Sequence, residues 1–544
     1  MQTESEAIVT DDLIRALIDL LGAGGVSRQC TERMMYARDL WPLHTMRVRE
    51  GKLPPLPGVV VWPTSELEVA AVVQLARRHR VPITPYGAGS GVLGGAMPFP
   101  GAIIMDLKRM AQLVSIDAAA SVGVVEPGML GAHLEDQLNI RGYTLGHFPS
   151  SLMTATVGGY VATRSAGQFS SRYGKIEDMV VSMRFVAGTG EIFDTADESL
   201  PAGGPDLNQI LLGSEGTLGI VTQVTLKLHP TPPATAFRGI RFPSVEAGLE
   251  AMRLLMQAGL RPSVLRLYDE IDTFLVGKGD DPVVRENSAV AGNQATQGNP
   301  AQAMHPPETV HVQAPTLGGR VKGWTRGLID RHPGVARGAV RLALGRPALI
   351  EALSHRVLPH EVLLILGFEG EPEEVEQSLA SALERCARVG GRDLGPGPGL
   401  RWFARRYDVS FKMPAFFHLG AFVDTIEVAS TWDRIPALYH AVRRAVSEET
   451  FIMAHFSHAY PEGVSIYFSL GGAADGLEAS EQRYYRAWEK AMEVVLAHQA
   501  TVSHHHGVGR ARLGGAAIGW PSARLKAGAV AMGRIPEASR SAPV

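Results

Sequence analysis

Apolar and polar positions change their period several times along the chain. Residues 11 to 22, DDLIRALIDLLG, place Leu and Ile at helical spacing and predict a short helix. A proline-rich lead-in follows, and SELEVAAVVQLARRHRVPITPYG (65 to 87) predicts a helix running into a strand. Ser65 and Glu68 have capping-box spacing there, and Leu67, Ala70, Ala71 and Leu75 are placed on its buried face. From 81 to 230 short apolar runs alternate with glycine clusters, the texture of a domain with many strands and few helices. HPTPPATAF (229 to 237) reads as a boundary. Beyond it, VEAGLEAMRLLMQAGL predicts an amphipathic helix and SVLRLYD a strand. Two further helices are expected in ASTWDRIPALYHAVRRAV, with Ile435, Leu438, Tyr439 and Val442 on one face, and in EQRYYRAWEKAMEVVLAHQA. Residues 279 to 318 are polar, small and proline-rich and read as a flexible insertion.

Composition narrows the classes. With 45% hydrophobic and 20% charged residues and a net charge of -3, the chain has the balance of a soluble globular protein and no electrostatic footprint for nucleic acid. Cys30 and Cys386 stand far apart, so neither a disulfide framework nor a cysteine metal site is expected. The first residues lack a signal pattern, and no apolar run reaches the roughly 18 residues of a membrane span, so a cytoplasmic location is the expectation. The 60 glycines matter more, because they cluster. In PYGAGSGVLGG (85 to 95), right after a strand, consecutive backbone N–H groups can converge on an anion with no side chain in the way. The spacing is not that of a dinucleotide-binding fingerprint.

Three more segments give the loop a context: SSLMTATVGGYVATRSAG (150 to 167), RYGKIEDMVV (172 to 181) and GSEGTLGIVTQVTLKLHP (213 to 230). In this order and spacing they resemble the flavin-binding domain of the vanillyl-alcohol oxidase, or PCMH-type, family. The resemblance implies an α+β fold with a PCMH-type FAD-binding domain, an α+β cap and a C-terminal segment returning to the flavin. It implies FAD as cofactor and contacts from Pro85, Tyr86, Gly87, Ala88, Gly89, Ser90 and Gly91. Further contacts are implied from Ser150, Ser151, Leu152, Met153, Thr154, Ala155 and Thr156, from Thr163, Arg164, Ser165 and Ala166, and from Glu215, Gly216, Thr217, Leu218, Gly219, Ile220 and Val221. Ile220 and Val221 are read as an apolar cradle for the ring. The divisions expected are a lead-in at 1–56, the FAD domain at 57–232, the cap at 233–485 and the C-terminal segment at 486–544.

The C-terminal half carries the chemistry. In D-2-hydroxy-acid dehydrogenases of this family a His-x-Gly-Asp-Gly-Asn-x-His segment and a Glu-His-Gly segment can hold a metal. Here the corresponding stretches read SHAYPEGVSIYFSL and SHHHGVG: His458 keeps one position, His505 stands in place of the glutamate, and no metal is expected. SHHHGVG, RPSVLRLYD, VSIYFSL and ASTWDR instead resemble the alkyldihydroxyacetonephosphate synthase family. That resemblance implies exchange of the acyl group of acyl-dihydroxyacetone phosphate for a long-chain alcohol, through an adduct at flavin N5, in ether-lipid synthesis. It assigns catalysis to Arg266, Tyr467, His504, His505 and His506. His505 has an ordinary pKa suited to carrying a proton, whereas Tyr467 would need nearby cations such as Arg266 to lower its own. Three adjacent histidines diverge on any regular backbone, so one or two are expected to act and the other to support. Arg266 also has a structural reading, as the partner of Asp269 or Glu270. The Tyr-x-Arg-Asp-like phosphate segment of that family has no counterpart, which leaves Lys412 as the expected substrate cation.

An amphiphilic small-molecule substrate is thus expected. Between 320 and 356 eight Lys/Arg face Asp330 and Glu351, which suits either a peripheral contact with an anionic membrane or a solvated helix face. A homodimer is compatible with this reading. An FAD-dependent oxidoreductase of a D-2-hydroxy acid or other alcohol is the alternative function, and a flavin-free binding protein on the same fold is a second.

Overall fold

The computed structural model describes residues 9–196, 206–277, 338, 340–342, 344–357, 359–408 and 416–513. The chain divides into two compact units. The first holds the chain up to Thr231 and the segment from Thr501; the second runs from Pro232 to Ala500. No described helix is long and apolar enough to cross a membrane.

In the first unit β1 (Val26–Ser27), β2 (Val59–Val61), β3 (Ile83–Tyr86) and β4 (Ile103–Asp106) form a sheet of order β1-β2-β4-β3. A second sheet begins with β5 (Leu113–Asp117) and β6 (Val122–Val125). After β7 (Tyr143–Thr144) it is completed by β8 (Val180–Ala187), β9 (Ile192–Asp194) and β10 (Gly219–Lys227), in the order β5-β6-β10-β8-β9. β11 (His229–Pro230) pairs with β7 and ends the unit's strands.

The helix Asp11–Leu21 forms where its periodicity places it, capped by Thr10. Glu66–His79 is capped by the Ser65 hydroxyl, which accepts from the Glu68 amide at 3.3 Å. The Glu68 carboxylate reaches back one residue further than a capping box, to the Thr64 amide at 2.6 Å. Of the face expected, Ala70 and Leu75 are buried, but the stripe is broader and shifted. Leu67 is 73% exposed and Ala71 half-buried, while Val69, Val72, Val73 and Ala76 pack against Leu13 and Leu17. Full burial of a valine is worth about 1.5–3 kcal/mol, so a stripe of three outweighs one exposed leucine in the first turn.

The second unit is one antiparallel sheet of seven strands: β12 (Ala234–Phe242), β13 (Val264–Tyr268), β14 (Val362–Gly370), β15 (Arg392–Asp393), β16 (Phe422–Thr431), β17 (Phe451–Ala459) and β18 (Gly463–Gly472). Their order is β15-β12-β14-β13-β17-β18-β16, and every residue of β14 is buried. Because side chains alternate along a strand, the register sorts the two faces. Leu267, Phe456, Ile466 and Val428 lie in one cross-strand row, with Phe468 and Ile426 on the same face. The helix Ile435–Val446 covers that face, setting Tyr439 5.4 Å from Phe456 and stacking it on Phe468 at 6.4 Å. The stripe Ile435, Leu438, Tyr439 and Val442 is buried as its spacing implies.

The division drawn at 485/486 cuts the helix Leu477–Ala497, and the change of unit comes after Ala500. The reason is one continuous buried stripe, which includes Tyr484, Trp488, Met492 and Val495. Tyr484 and Trp488 both donate to the buried Asp424 of β16, at 2.6 and 2.9 Å, which ties the whole helix to the second unit. Residues 279 to 318, Lys412 and most of the basic stretch lie outside the described residues.

Candidate functional site

In the first unit the glycine segment at 213 to 230 and the end of β3 line a cleft of about 280 Å³. Its lining includes Val73, Ile83, Pro85 and the run Gly216, Thr217, Leu218, Gly219 and Ile220. Close approach explains the glycines. Gly216 has φ +76, and a Cβ there would stand 2.9 Å from the Pro85 ring. A Cβ at Gly87 would overlap the Thr156 hydroxyl, and one at Gly89 (φ +64) the Tyr86 hydroxyl. Thr156 caps the helix Val157–Thr163 by accepting from the Gly159 amide at 3.2 Å, and the Thr163 hydroxyl donates to the Gly159 carbonyl. A cleft lined by aliphatic side chains, Arg77 and glycine-rich backbone offers a flavin nucleotide apolar contact for rings and a cation and bare amides for phosphate.

Several expected contacts are committed elsewhere. Tyr86 is buried and its hydroxyl donates to the Arg38 carbonyl at 2.9 Å. The Arg164 side chain is buried and donates to the carbonyls of Leu212 and Gln209. Ile220 lines the cleft, but Val221 packs on the other core of the unit; strand alternation sends neighbours to opposite faces, so the two do not form one cradle. Leu152, Ala155 and Ala166 are buried, whereas Met153 and Leu218 are 47% and 48% exposed. Ser150 accepts from the Gln168 amide at 3.2 Å, Ser151 closes the turn that Thr154 and Ala155 complete, and the Ser165 hydroxyl is 3.1 Å from His147 Nε2. Ala88, Ser90, Gly91 and Thr217 stay in the loops at and beside the cleft.

Glu215 has a role that its place in a glycine segment does not suggest. Its carboxylate accepts from the amides of Val508 and Gly509, at 2.5 and 3.0 Å, and so pins the SHHHGVG turn to the glycine segment of the same unit. Burial pushes its carboxyl above the ordinary range against the pull of these amides and of Arg512. Gly507 has φ +76, and a Cβ there would lie 2.7 Å from Glu215 Oε1. Arg512, buried, donates to the Gly507 carbonyl from the other side. The turn is irregular, so its side chains do not diverge as on a helix or strand. His504 Nδ1 is 2.9 Å from His505 Nδ1, and the rings of His505 and His506 are 4.3 Å apart. His504 and His505 are buried and His506 is half-buried.

The second unit holds Arg266 and Tyr467 on the sheet face opposite the helix Ile435–Val446. Register aligns Tyr268, His455, Tyr467 and Glu427 in one row across β13, β17, β18 and β16. Arg266, two residues before Tyr268, shares the face, and its Nη2 lies 2.7 Å from His455 Nε2. Asp269 and Glu270, considered as its partners, instead face Arg443, each at 3.4 Å. Burial pushes the Tyr467 phenol up to about 12, outweighing the opposite pull of Thr425 and Arg266. Tyr467 is therefore a proton-bearing donor at neutral pH and not the lowered acid–base group expected. His455 was not singled out by sequence, because only the pairing of strands distant along the chain brings it to Arg266; Asp272, six residues after Arg266 in the helix Glu270–Gly277, was passed over beside it.

Comparison with known proteins agrees with this organisation. Residues 57–196 match the model of an FAD binding domain, and residues 231–295 and 346–514 that of the C-terminal domain of FAD linked oxidases. The alkyldihydroxyacetonephosphate synthase of Trypanosoma brucei brucei is 28% identical over 485 residues, covering 87% of this chain and 69% of that protein. That of Dictyostelium discoideum is 27% identical over 474 residues, covering 85% and 69%. A solved alkyldihydroxyacetonephosphate synthase superposes with a TM-score of 0.69 at 25% identity, covering 91% of this chain and 80% of its own. p-Cresol methylhydroxylase shares the fold, with a TM-score of 0.64 at 17% identity over 96% and 94% of the two chains. The chain belongs to the PCMH-type FAD-binding family as an alkyldihydroxyacetonephosphate synthase-like flavoprotein, an enzyme with FAD as its cofactor.

Proposed function

We propose that this enzyme exchanges the acyl group of an acyl-dihydroxyacetone phosphate for a long-chain alcohol, giving the alkyl ether and a free fatty acid. The observation that carries the reading is the placement of Arg266 and a proton-bearing Tyr467 on one polar sheet face. The relatives named above support the choice of reaction. Bound FAD supplies an electrophilic ring for the substrate carbon and undergoes no net reduction. Pro85 and the Gly216 to Ile220 run would hold it along the cleft, with bare backbone amides of the glycine segments available to its phosphates. Arg266 offsets the negative charge that develops when a carbon-bound proton is removed, and Tyr467 donates a hydrogen bond to the same oxygen. His505, held in the turn pinned by Glu215, carries the proton. Lys412 is the proposed cation for the substrate phosphate.

Turnover in deuterated water tests the proton step. The alkyl product should carry deuterium on the dihydroxyacetone carbon that bears the ether oxygen. Product formed with no deuterium there, together with an unchanged rate for substrate deuterated at that carbon, would contradict removal of a carbon-bound proton. Bleaching of the flavin by a D-2-hydroxy acid, with no ether formed, would favour the oxidoreductase reading.

A further inference from the structure

The polar face of the second unit contains a histidine that the proposed reaction does not use. His455 is 6% exposed and sits between three functional groups. Its Nε2 is 2.7 Å from Arg266 Nη2, its Nδ1 is 3.5 Å from Asp272 Oδ2, and its ring stacks on that of Tyr467 at 4.9 Å with a 19° interplanar angle. Arginine has only donors, so a 2.7 Å contact requires the lone pair of a neutral imidazole on Nε2. The ring proton then stands on Nδ1, on the side of the Asp272 carboxylate. Burial and the Arg266 charge both hold this imidazole neutral. The backbone at Asp272 is held in place, since its N–H donates to Asp269 Oδ1 at 2.8 Å. A second anchor restrains the arginine: its Cζ lies 5.2 Å from the centre of the Tyr268 ring.

We propose that His455 is the positioning residue of this face: it fixes the Arg266 guanidinium through Nε2, is oriented by Asp272 through Nδ1, and seats the Tyr467 ring by stacking. A neutral histidine suits this place because its acceptor and its donor sit on two separate nitrogens of one flat ring. The inference deepens the alkyl-transfer reading and rests on it, because the two groups it positions are the ones assigned to the developing charge.

Two substitutions separate positioning from filling space. His455→Phe keeps the ring and its volume but removes the acceptor; His455→Gln loses the ring but keeps an acceptor and a donor. With FAD-loaded full-length protein, positioning predicts that Phe lowers kcat by up to about 100-fold, as misplaced reacting groups do. Gln, which keeps the acceptor for Arg266 but loses the stacked ring, should recover part of that loss, with flavin content unchanged in both. A packing role predicts the reverse order, and Phe as active as wild type or more active than Gln overturns the proposal. A measurement that needs no turnover accompanies it, nitrogen NMR of histidine-labelled wild type, with the His455 signal assigned by its loss in His455→Gln. The expected signal is a neutral ring protonated at Nδ1 that does not titrate around neutral pH. An Nε2-protonated or titrating ring overturns the arrangement. If wild type shows no alkyl transfer, the functional reading fails while the NMR result still decides the His455 geometry.

Discussion

Glu215→Gln separates an anchor from a cofactor ligand. The native carboxylate accepts from two amides, Val508 and Gly509, with an oxygen for each. A glutamine keeps one carbonyl oxygen and points an NH₂ at the other amide, so one charge-assisted hydrogen bond is lost. A hydrogen bond to a charged group is worth about 1.5–3 kcal/mol. Spent on releasing the turn, that raises its open population about 10- to 150-fold, since each 1.4 kcal/mol is a factor of about ten. Amide hydrogen exchange read by mass spectrometry on peptides spanning the turn should accelerate by that factor. Flavin stoichiometry should stay at the wild-type level, and turnover should fall because the histidines lose their fixed place. Loss of FAD with unchanged exchange in the turn would refute the anchor and restore Glu215 as a cofactor contact.

Other outcomes follow from the same geometry. Tyr467→Phe should cost roughly 100-fold in kcat with little change in flavin content, the scale of removing one preorganised donor. Because burial raises the Tyr467 phenol to about 12, the proton stays on through the neutral and mildly alkaline range. The wild-type kcat profile should therefore lack a limb that vanishes in Tyr467→Phe near the ordinary tyrosine pKa of about 10; finding one would contradict the burial argument. His505→Ala should abolish turnover while FAD remains bound, which a flavin absorbance spectrum and a product assay together decide. Arg443→Leu should destabilise the second unit by about 1–3 kcal/mol, because Asp269, raised by burial to about 7, then takes a proton while hydrogen bonds to the arginine are lost. A thermal midpoint within a degree or so of wild type would show that the pair is not needed.

Local patterns were readable from the chain alone, and distant pairings were not. The helix Ile435–Val446 and its buried stripe follow from spacing within a few turns, and the glycine segments announced themselves by clustering. The helix Glu66–His79 was readable and its buried side only in part: Ala70 and Leu75 are buried as expected, while Leu67 and Ala71 give way to a valine stripe that packs on Leu13 and Leu17. Arg266, His455 and Tyr467 come together through strand register, which no spacing in sequence encodes. Glu215 illustrates a subtler limit. A glutamate in a glycine-rich segment reads as a cofactor contact, and its true partners lie almost three hundred residues onward, in the histidine turn. Burial likewise moved Tyr467 in the direction opposite to the one its cationic neighbour alone suggested.

The most direct test of the account is an alkyl-exchange assay without any electron acceptor. FAD-loaded protein would be mixed with palmitoyl-dihydroxyacetone phosphate and labelled hexadecanol, and the products read by mass spectrometry while the flavin spectrum is followed. The expected result is labelled hexadecyl-dihydroxyacetone phosphate and free palmitate in equal amounts, with the flavin oxidised at the end. Fully bound flavin with no labelled ether formed would contradict the assignment of alkyl transfer to this enzyme.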